Sequence, residues 1–289
     1  DLFGLTADEA RERYPTLYQW LFDRVKPERD ENKRESYRTR WWVFGEARGK
    51  LRTAASGLHR YIITPETAKH RVFAFAERSL LPDHKLYALC MDEAWILGVL
   101  SSRVAQVFIL AAGGRMGVGN DPIFNNTRCF DPFPFPETDD ARRDRIRALA
   151  ETLDAHRKAV QAAHPDVTLT GMYNGLERYR QALRDGGPAF SDRERDFHER
   201  ARIAVLASIH DDLDREVAAA YGWPADLPDD EVLARLVALN ADRAREEAAG
   251  TIRWLRPAFQ APNAPAPVQQ DLDAAPAAAE TAPEAPRDW

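Results

Sequence analysis

The segment "FNNTRCFDPFPFPE", residues 124–137, contains a run in which proline and aromatic residues alternate. Three prolines and three phenylalanines lie within the seven residues from Phe130 to Pro136. Proline fixes its own backbone φ and restricts the preceding residue to extended conformations, so the run predicts an extended, polyproline-like path. Because it separates two regions of different composition, we interpret residues 130–136 as a rigid strap between two parts of the protein.

An alternative interpretation places this run in an active site. Amino-methyltransferases hold the amine of a flipped base with motifs such as Asp-Pro-Pro-Tyr, in which the two prolines are adjacent. Here Asp131-Pro132 is followed by Phe133, and the chain contains no Pro-Pro and no Asn-Pro pair. The spacing does not suit that clamp, and the strap is the better interpretation.

The regions around the strap predict an α+β protein in four segments. Short β-branched and aromatic runs at 58–65, 70–75 and 84–91 predict three strands, the first two forming a hairpin. Residues 92–114 predict a helix in two pieces that ends at Gly113 and Gly114, followed by a glycine-rich loop. The segments are a helical connector broken at Pro15 (1–36), a mixed α/β domain (37–137), an all-α domain (138–256) and a disordered Ala/Pro-rich tail (257–289).

Capping residues predict where the helices of the second half begin. Thr138 and Thr170 each precede an amphipathic pattern, and "SDRE" at 191–194 is a capping box for a third helix that runs to about Ala220. A fourth helix is expected from Asp229 or Asp230 to about Ala249. In the first half, Thr6 is the expected N-cap of the first helix.

Composition limits the function classes. The 289 residues are 44% hydrophobic with a net charge of -6, and no apolar run approaches the roughly 18 residues of a membrane span. Two cysteines, Cys90 and Cys129, make a disulfide framework unfavourable, so a cytoplasmic protein without a membrane partner is expected. The chain begins with Asp1 instead of Met, which suggests a fragment.

No residue pattern predicts catalysis, a metal or a bound cofactor. The seven histidines are scattered, and "HERAR" at 198–202 lacks the second histidine of a zinc motif. The glycines of "GGRMGVGND", residues 113–121, follow a predicted helix, whereas cofactor loops follow a strand and open a helix. We therefore expect no catalytic, metal-binding or cofactor-binding residue in this chain.

A basic region contrasts with the acidic whole. From Lys33 to Arg78 the chain has eleven Lys or Arg against four Glu, a local charge of +7. In "YRTRWWVFGEARGKLR", residues 37–52, cations alternate with aromatic residues, as in surfaces that bind nucleic-acid phosphates and stack bases. The alternative is a solvated surface over a core, and for Trp41 and Trp42 the core is the preferred interpretation.

Five segments together resemble the C-terminal part of the MmeI-like class of adenine-specific DNA methyltransferases, which includes fused restriction–modification enzymes and methyltransferases of phage-defence islands. The segments are "VKPERDENKRESYRTRWWVFGEAR" (25–48), "RYIITPETAKHRVFAF" (60–75), "LPDHKLYALCMDEAWILGVLSSRV" (81–104), "RCFDPFPFPE" (128–137) and "YGWPADLPDDEVLARLVALNADRAREEAAGTIRWLRP" (221–257).

The resemblance implies that residues 37–137 form a target-recognition domain for double-stranded DNA, with a helical domain beside it. In that family the S-adenosylmethionine loop and the Asn-Pro-Pro-Tyr motif lie upstream of this region, and neither motif occurs here. The chain is therefore expected to bind no cofactor, to be inactive alone and to act with an upstream catalytic domain or subunit. S-adenosylmethionine would belong to the full enzyme, which methylates adenine N6.

Two sets of DNA-binding residues are expected. Phosphate contacts, which set register without reading sequence, are assigned to Arg38, Arg40, Arg48, Arg60, Lys69 and Arg71. Base readout by bidentate side chains is assigned to Arg103, Arg115, Asn120, Asn125, Asn126 and Arg128. Two alternatives remain open: the specificity end of a fused restriction enzyme of Type IIG, and a protein-interaction scaffold of a phage-defence complex whose helical half is the working surface.

Overall fold

The computed structural model describes residues 1–117, 121–186 and 190–263, apart from the side chain of Asp185. These residues belong to two compact units, Asp1–Thr251 and Ile252–Trp289. The structure is 57% helical and 8% strand, with the strands confined to the first half, so the α+β class predicted from the sequence is confirmed.

Short helices precede the sheet. They are α1 (Ala7–Arg13), α2 (Pro15–Arg24), α3 (Lys26–Asp30), α4 (Glu35–Thr39) and α5 (Gly49–Ala54). The Thr6 cap of α1 and the break at Pro15 are confirmed: the Thr6 hydroxyl accepts from the Glu9 N–H at 3.2 Å, and the Glu9 carboxylate accepts from the Thr6 N–H at 2.8 Å. Beyond Val25, the predicted helical connector continues as α3 and α4.

A three-stranded antiparallel sheet follows, with spatial order β2-β1-β3. Its strands are β1 (Arg60–Pro65), β2 (Ala74–Glu77) and β3 (Leu86–Leu89). The register places Ile62 opposite Phe75 on one side and opposite Leu89 on the other. All three residues are buried, so the three predicted strands and their hairpin are confirmed.

Two apolar helices carry the core of the first half. They are α6 (Ala94–Ser101) and α7 (Arg103–Ala112), the two pieces that the sequence predicts. Every residue of α6 except Trp95 is buried. No single helix of the described residues is long and apolar enough to cross a membrane; α6 and α7 meet the length and composition criteria only as a pair bent by 66°.

The glycine-rich segment after α7 is not the loop that the sequence predicts. It forms a hairpin of β4 (Gly114–Met116) and β5 (Asp121–Ile123), followed by a π-helix, Asn126–Phe130. Gly113 permits this close return, because a Cβ atom there would lie 2.5 Å from the carbonyl oxygen of Ile123. No periodicity in the sequence predicts these elements, because each strand has three residues and the π-helix has five.

The strap continues from the π-helix, and residues 133–139 have no regular secondary structure. The Phe133 ring packs against Phe108 of α7 at 5.4 Å between centroids, and Phe135 packs against Trp95 of α6 at 5.9 Å. The Tyr221 hydroxyl donates to the Pro134 carbonyl at 2.8 Å. The strap is therefore anchored to both halves of the first compact unit.

The second half contains long helices. They are α8 (Asp140–Ala163), α9 (Leu169–Asp185), α10 (Asp192–Arg200), α11 (Ile203–Ala220) and α12 (Asp229–Ala248). The Ser191 capping box and α12 are confirmed, but the N-caps of α8 and α9 are Asp139 and Thr168 instead of Thr138 and Thr170.

The single helix predicted from residue 191 to about 220 is wrong. Arg202 adopts a left-handed conformation with φ of 47°, which ends α10 and starts α11. On either side of this break, Phe197 and Ile203 both pack against Gly175 of α9. Because neither Gly nor Pro marks the break, the sequence pattern could not show it.

Helix α8 joins the two halves. The Phe75 N–H donates to the Asp154 carboxylate at 3.1 Å, and the Arg157 guanidinium donates to the Phe73 carbonyl at 2.8 Å. Helix α6 packs directly on α8, and α11 packs on both α8 and α9. Residues before and after position 137 thus belong to one compact unit, and the four-segment division stays a prediction.

In the second compact unit, the described residues 252–263 contain α13 (Pro257–Gln260). The predicted disordered tail falls mostly on residues 264–289, which lie outside the described residues.

We predict that Gly98→Ala destabilises the protein, because a Cβ at Gly98 would lie 2.6 Å from Ile146 Cγ2 and 3.2 Å from the Ile146 carbonyl oxygen. Overpacking of this kind lowers the free energy of unfolding by about 1–3 kcal/mol. Urea unfolding followed by circular dichroism measures the loss. Gly49→Ala is the matched control, since nothing lies within 4 Å of a Cβ there. Equal stability of the Gly98→Ala variant and the wild type would contradict the close α6–α8 packing.

Candidate nucleic-acid interface and an adjoining basic cleft

The basic segment, which we define as residues 33–50, exposes a series of cations on α4, α5 and the chain between them. Arg38, Arg40 and Arg48, three of the predicted phosphate ligands, are exposed, as are Lys33 and Lys50. Among the described residues, their one side-chain hydrogen bond is from Arg38 to the carbonyl of Asn32, a neutral acceptor. Their charges are therefore directed to solvent, as a phosphate-binding surface requires.

The aromatic residues of the basic segment divide into buried and exposed rings. Trp41 is buried and packs edge-on against Tyr18 and Phe22, and Trp42 donates its indole N–H to the Leu5 carbonyl at 3.0 Å. Phe44 is 59% exposed. The preferred interpretation of the tryptophan pair as core is confirmed for Trp41.

The other three predicted phosphate ligands have partners elsewhere in the fold, and of these Lys69 is exposed. Arg60 forms an ion pair with Glu151 of α8, which raises the pKa of Arg60 and lowers that of Glu151. Lys69 donates to Asn174 at 2.7 Å and pairs with Glu177 at 3.1 Å, both on α9. These two cations link the sheet to the helical half.

Arg71 is buried and surrounded by neutral oxygen acceptors. Its guanidinium donates to the Thr64 hydroxyl at 3.2 Å and to the carbonyls of Pro65, Glu66 and Pro122. Burial lowers its pKa to about 10, so it stays charged at neutral pH. This position does not suit the contact with a DNA phosphate that the sequence predicts for Arg71.

The predicted base-reading residues do not all come together. Arg115 on β4 and Arg128 on the π-helix are exposed, and Asn125 and Asn126 lie between them on the same hairpin and π-helix unit. The Asn125 side chain accepts from the Thr127 N–H at 3.0 Å, which holds the start of the π-helix. Asn120 lies outside the described residues.

Arg103 lies apart from that unit, at the opposite end of α7. Its guanidinium donates to the Leu227 carbonyl at 2.6 Å and to Asp229 at 2.5 Å, at the start of α12. At about 1.5 Å per residue, the ten residues of α7 separate Arg103 from the hairpin by roughly 13 Å. The cluster expected from sequence proximity therefore loses Arg103, which tethers α12.

A cleft of about 340 Å³ opens beside these tethers, between α7, α9 and α11. Sequence reasoning missed it. It is lined by Lys69, His70, Arg71, Ser101, Arg103, Gln106, Leu110, Arg157, Tyr173, Leu176, Glu177, Arg180, Arg184, His210 and Asp214. Six of these residues are Lys or Arg and two are carboxylates, so the lining carries a formal excess of four positive charges.

A hydrogen-bonded chain forms part of the cleft wall. Arg157 donates to the Tyr173 hydroxyl, which lies 2.8 Å from His210 Nε2. Because the Tyr173 hydroxyl accepts from Arg157, its own proton is free to donate to His210 Nε2 in the tautomer that carries the imidazole proton on Nδ1. Burial next to Arg157 and Arg180 lowers the pKa of His210 well below 6.5, so the ring is neutral at pH 7.

Two of these residues have a signal in the sequence that could have revealed them. Arg157 continues the buried stripe of α8 after Ala150 and Leu153, and His210 continues that of α11 between Leu206 and Leu213. A polar residue at a position that the period assigns to the core needs partners. Such residues are candidates for a site.

Comparison with known proteins is limited to the fold. The sequence matches no family model, and no curated protein is significantly similar to it. Among solved structures, the fold is similar to that of MmeI, a Type IIL restriction–modification enzyme determined in complex with DNA, with a TM-score of 0.56 and 17% sequence identity. The match covers 83% of this chain but 28% of the MmeI chain, so this chain spans less than a third of that protein.

The buried carboxyl of Asp214 makes stability depend on pH. It accepts from the Arg103 N–H at 2.6 Å, yet burial raises its pKa to about 6, above the value of about 3.9 in an unfolded chain. The folded state therefore binds this proton more tightly. As pH rises from about 4 through 6, ionisation of Asp214 lowers the free energy of unfolding by about 3 kcal/mol.

We predict that Asp214→Asn removes this loss, because the amide oxygen still accepts from Arg103 and carries no charge. The stability gain of the variant over the wild type should be larger at pH 7.5 than at pH 4.5 by about 2–3 kcal/mol. Urea unfolding at both pH values measures it, with the exposed carboxylate variant Asp226→Asn as control. A gain independent of pH would show that Asp214 is not held in a protonation-sensitive site.

Proposed function

We propose that this chain is the DNA-specificity region of a site-specific DNA-modifying enzyme of the restriction–modification type. It docks on double-stranded DNA and selects the site at which a separate catalytic part methylates adenine on its exocyclic nitrogen. The observation that carries the proposal is the fold shared with part of MmeI, a restriction–modification enzyme solved with DNA. The exposed cations of the basic segment supply the chemistry that duplex DNA needs.

Affinity for DNA is assigned to the basic segment. Arg38, Arg40 and Arg48 contact phosphates, releasing condensed counterions, and they set the position of the protein without reading sequence. Phe44 extends from the same segment and packs against the sugar or a base edge. Arg60, Lys69 and Arg71 act indirectly in this proposal, because they fix the sheet and the connection between β1 and β2 on which the DNA-binding surface is built.

Sequence readout is assigned to the hairpin and π-helix unit. Arg115 and Arg128 have the donor pair that reads guanine in the major groove. Asn125 and Asn126 are left out of the readout set, because the Asn125 amide oxygen accepts from Thr127 and the Asn126 amide oxygen is buried. Arg103 is left out of this set because it is engaged with α12.

The described residues do not fit S-adenosylmethionine. Its binding loop needs glycines between a strand and a helix, whereas the glycines near residue 113 follow α7 and form β4. In this proposal the catalytic part holds the cofactor and flips the base, and the chain described here grips the DNA beside it.

A second version of the function couples recognition to cleavage. The solved neighbour is a restriction–modification enzyme, which favours a fused Type IIG-like arrangement over a methyltransferase alone. Both versions use the same DNA-binding surface of this chain, so they share the first test below. The remaining alternative, a protein-interaction scaffold, differs in its response to salt.

We predict that the chain binds random-sequence duplex DNA with steep salt dependence. For six to ten phosphate contacts, affinity should fall by roughly 10³ to 10⁵ between 50 and 200 mM salt. Fluorescence anisotropy with a labelled duplex measures the slope. Binding that does not change with salt would favour the scaffold, and absence of binding at 50 mM salt, both alone and with a catalytic partner added, would refute the proposal.

We also predict that Arg40→Gln and Arg48→Gln each reduce the slope of log affinity against log salt by about one, because each removes one phosphate contact. Arg193→Gln removes an exposed cation of the same type from α10 and is the matched control. Slopes that fall equally in all three variants would mean that total charge, and not the basic segment, sets the affinity.

A further inference from the structure

The basic cleft has features of a second binding site that DNA docking on the basic segment does not use. Its volume of about 340 Å³ lies within the range of about 300–1,000 Å³ typical of small-molecule sites. Its size suits an organic ligand.

The charge of the cleft wall is not balanced by its own residues. Arg71 and Arg157 are 6% and 2% exposed, and their acceptors among the described residues are carbonyls and hydroxyls, which carry no charge. Neither takes part in an ion pair among the described residues. A buried charge without a counter-charge is costly. An anion bound in the cleft would supply that counter-charge.

Unused hydrogen-bonding groups lie along the same wall. The Ser101 hydroxyl is 6% exposed by residue and has no hydrogen-bond partner among the described residues. The Nε–H groups of Arg71 and Arg157 are likewise buried without an acceptor. Most buried polar groups in folded proteins are paired, and three unpaired donors around one cleft indicate an acceptor-rich ligand.

The other lining residues form an apolar part and a cationic rim. Leu110 and Leu176 supply apolar surface, and the rings of His70 and Tyr173 lie 6.0 Å apart, tilted by 37°. Arg184 is exposed near the C-terminal end of α9 and has no partner among the described residues, so it is available to a ligand entering from solvent.

We propose that this cleft binds a small phosphate ester of mononucleotide size, with the phosphate near the buried guanidiniums and Ser101 and the apolar group between Leu110 and Leu176. Each element of the lining has a role in that assignment. The guanidiniums and the hydroxyl donate to phosphate oxygens, the apolar walls cover the base or a comparable group, and Arg184 closes the rim.

Isothermal titration calorimetry of the full chain with adenosine 5′-monophosphate tests the assignment. Parallel titrations use inorganic phosphate and adenosine, each of which should bind more weakly because it fills one part of the cleft. Arg184→Gln and Ser101→Ala should each weaken nucleotide binding by roughly tenfold, since each removes a hydrogen bond to a charged group. Arg193→Gln, on α10 outside the cleft, should leave it unchanged.

Three results would overturn the proposal. One is the absence of measurable heat with the nucleotide, and another is an equal loss in Arg184→Gln and Arg193→Gln. In the third, a short DNA duplex displaces the nucleotide, and Ser101→Ala weakens binding of that duplex. The phosphate bound in the cleft would then be a DNA phosphate. Arg184 is exposed, so its variant is expected to fold, and thermal melting checks both cleft variants. DNA docking on the basic segment can fail or succeed independently of each result.

Discussion

Two side chains of one helix hold the protein together. Asp154 of α8 accepts from the backbone of β2, and Arg157, one turn later, donates to the carbonyl just before that strand. Hydrogen bonds that involve a charged group contribute about 1.5–3 kcal/mol each, and losing one partner leaves a buried group unsatisfied. With Gly98 letting α6 approach the same helix, the sheet and the helical half share one core.

The basic residues consequently divide into two classes that their sequence positions do not distinguish. Arg38, Arg40 and Arg48 lie on or next to short helices and direct their charge to solvent, which phosphate attraction needs. Arg34 of the same segment instead pairs with Glu46 at 3.1 Å. Those at 60, 69, 71 and 103 are used within the fold, where they pair with α8, α9 and α12 or with backbone carbonyls. A segment rich in basic residues can therefore belong to a ligand-binding surface or to the junction between the sheet and the helical half.

Much of the fold could be predicted from sequence because its signals are local. The Thr6 and Ser191 capping boxes, the three alternating strands and the apolar pair α6 and α7 each follow from neighbouring residues. The β4–β5 hairpin, the π-helix and the break at Arg202 could not, because each depends on a close tertiary approach, at Gly113 or at Gly175. The cleft was missed for the same reason: its residues come from five separate helices and the connection before β2, and only Arg157 and His210 interrupt a periodic pattern.

We propose that duplex DNA lies across two surfaces, the basic segment and the unit formed by the hairpin and the π-helix, and that the fold does not rearrange when DNA binds. Hydrogen–deuterium exchange of the chain with and without duplex DNA at about 50 mM salt tests it most directly. The account predicts slower exchange in peptides covering residues 33–50 and 121–130, with no change in α8 or in the strap. Protection confined to α9 and α10, or increased exchange in α8, would contradict it, because the DNA would then bind elsewhere or open the junction.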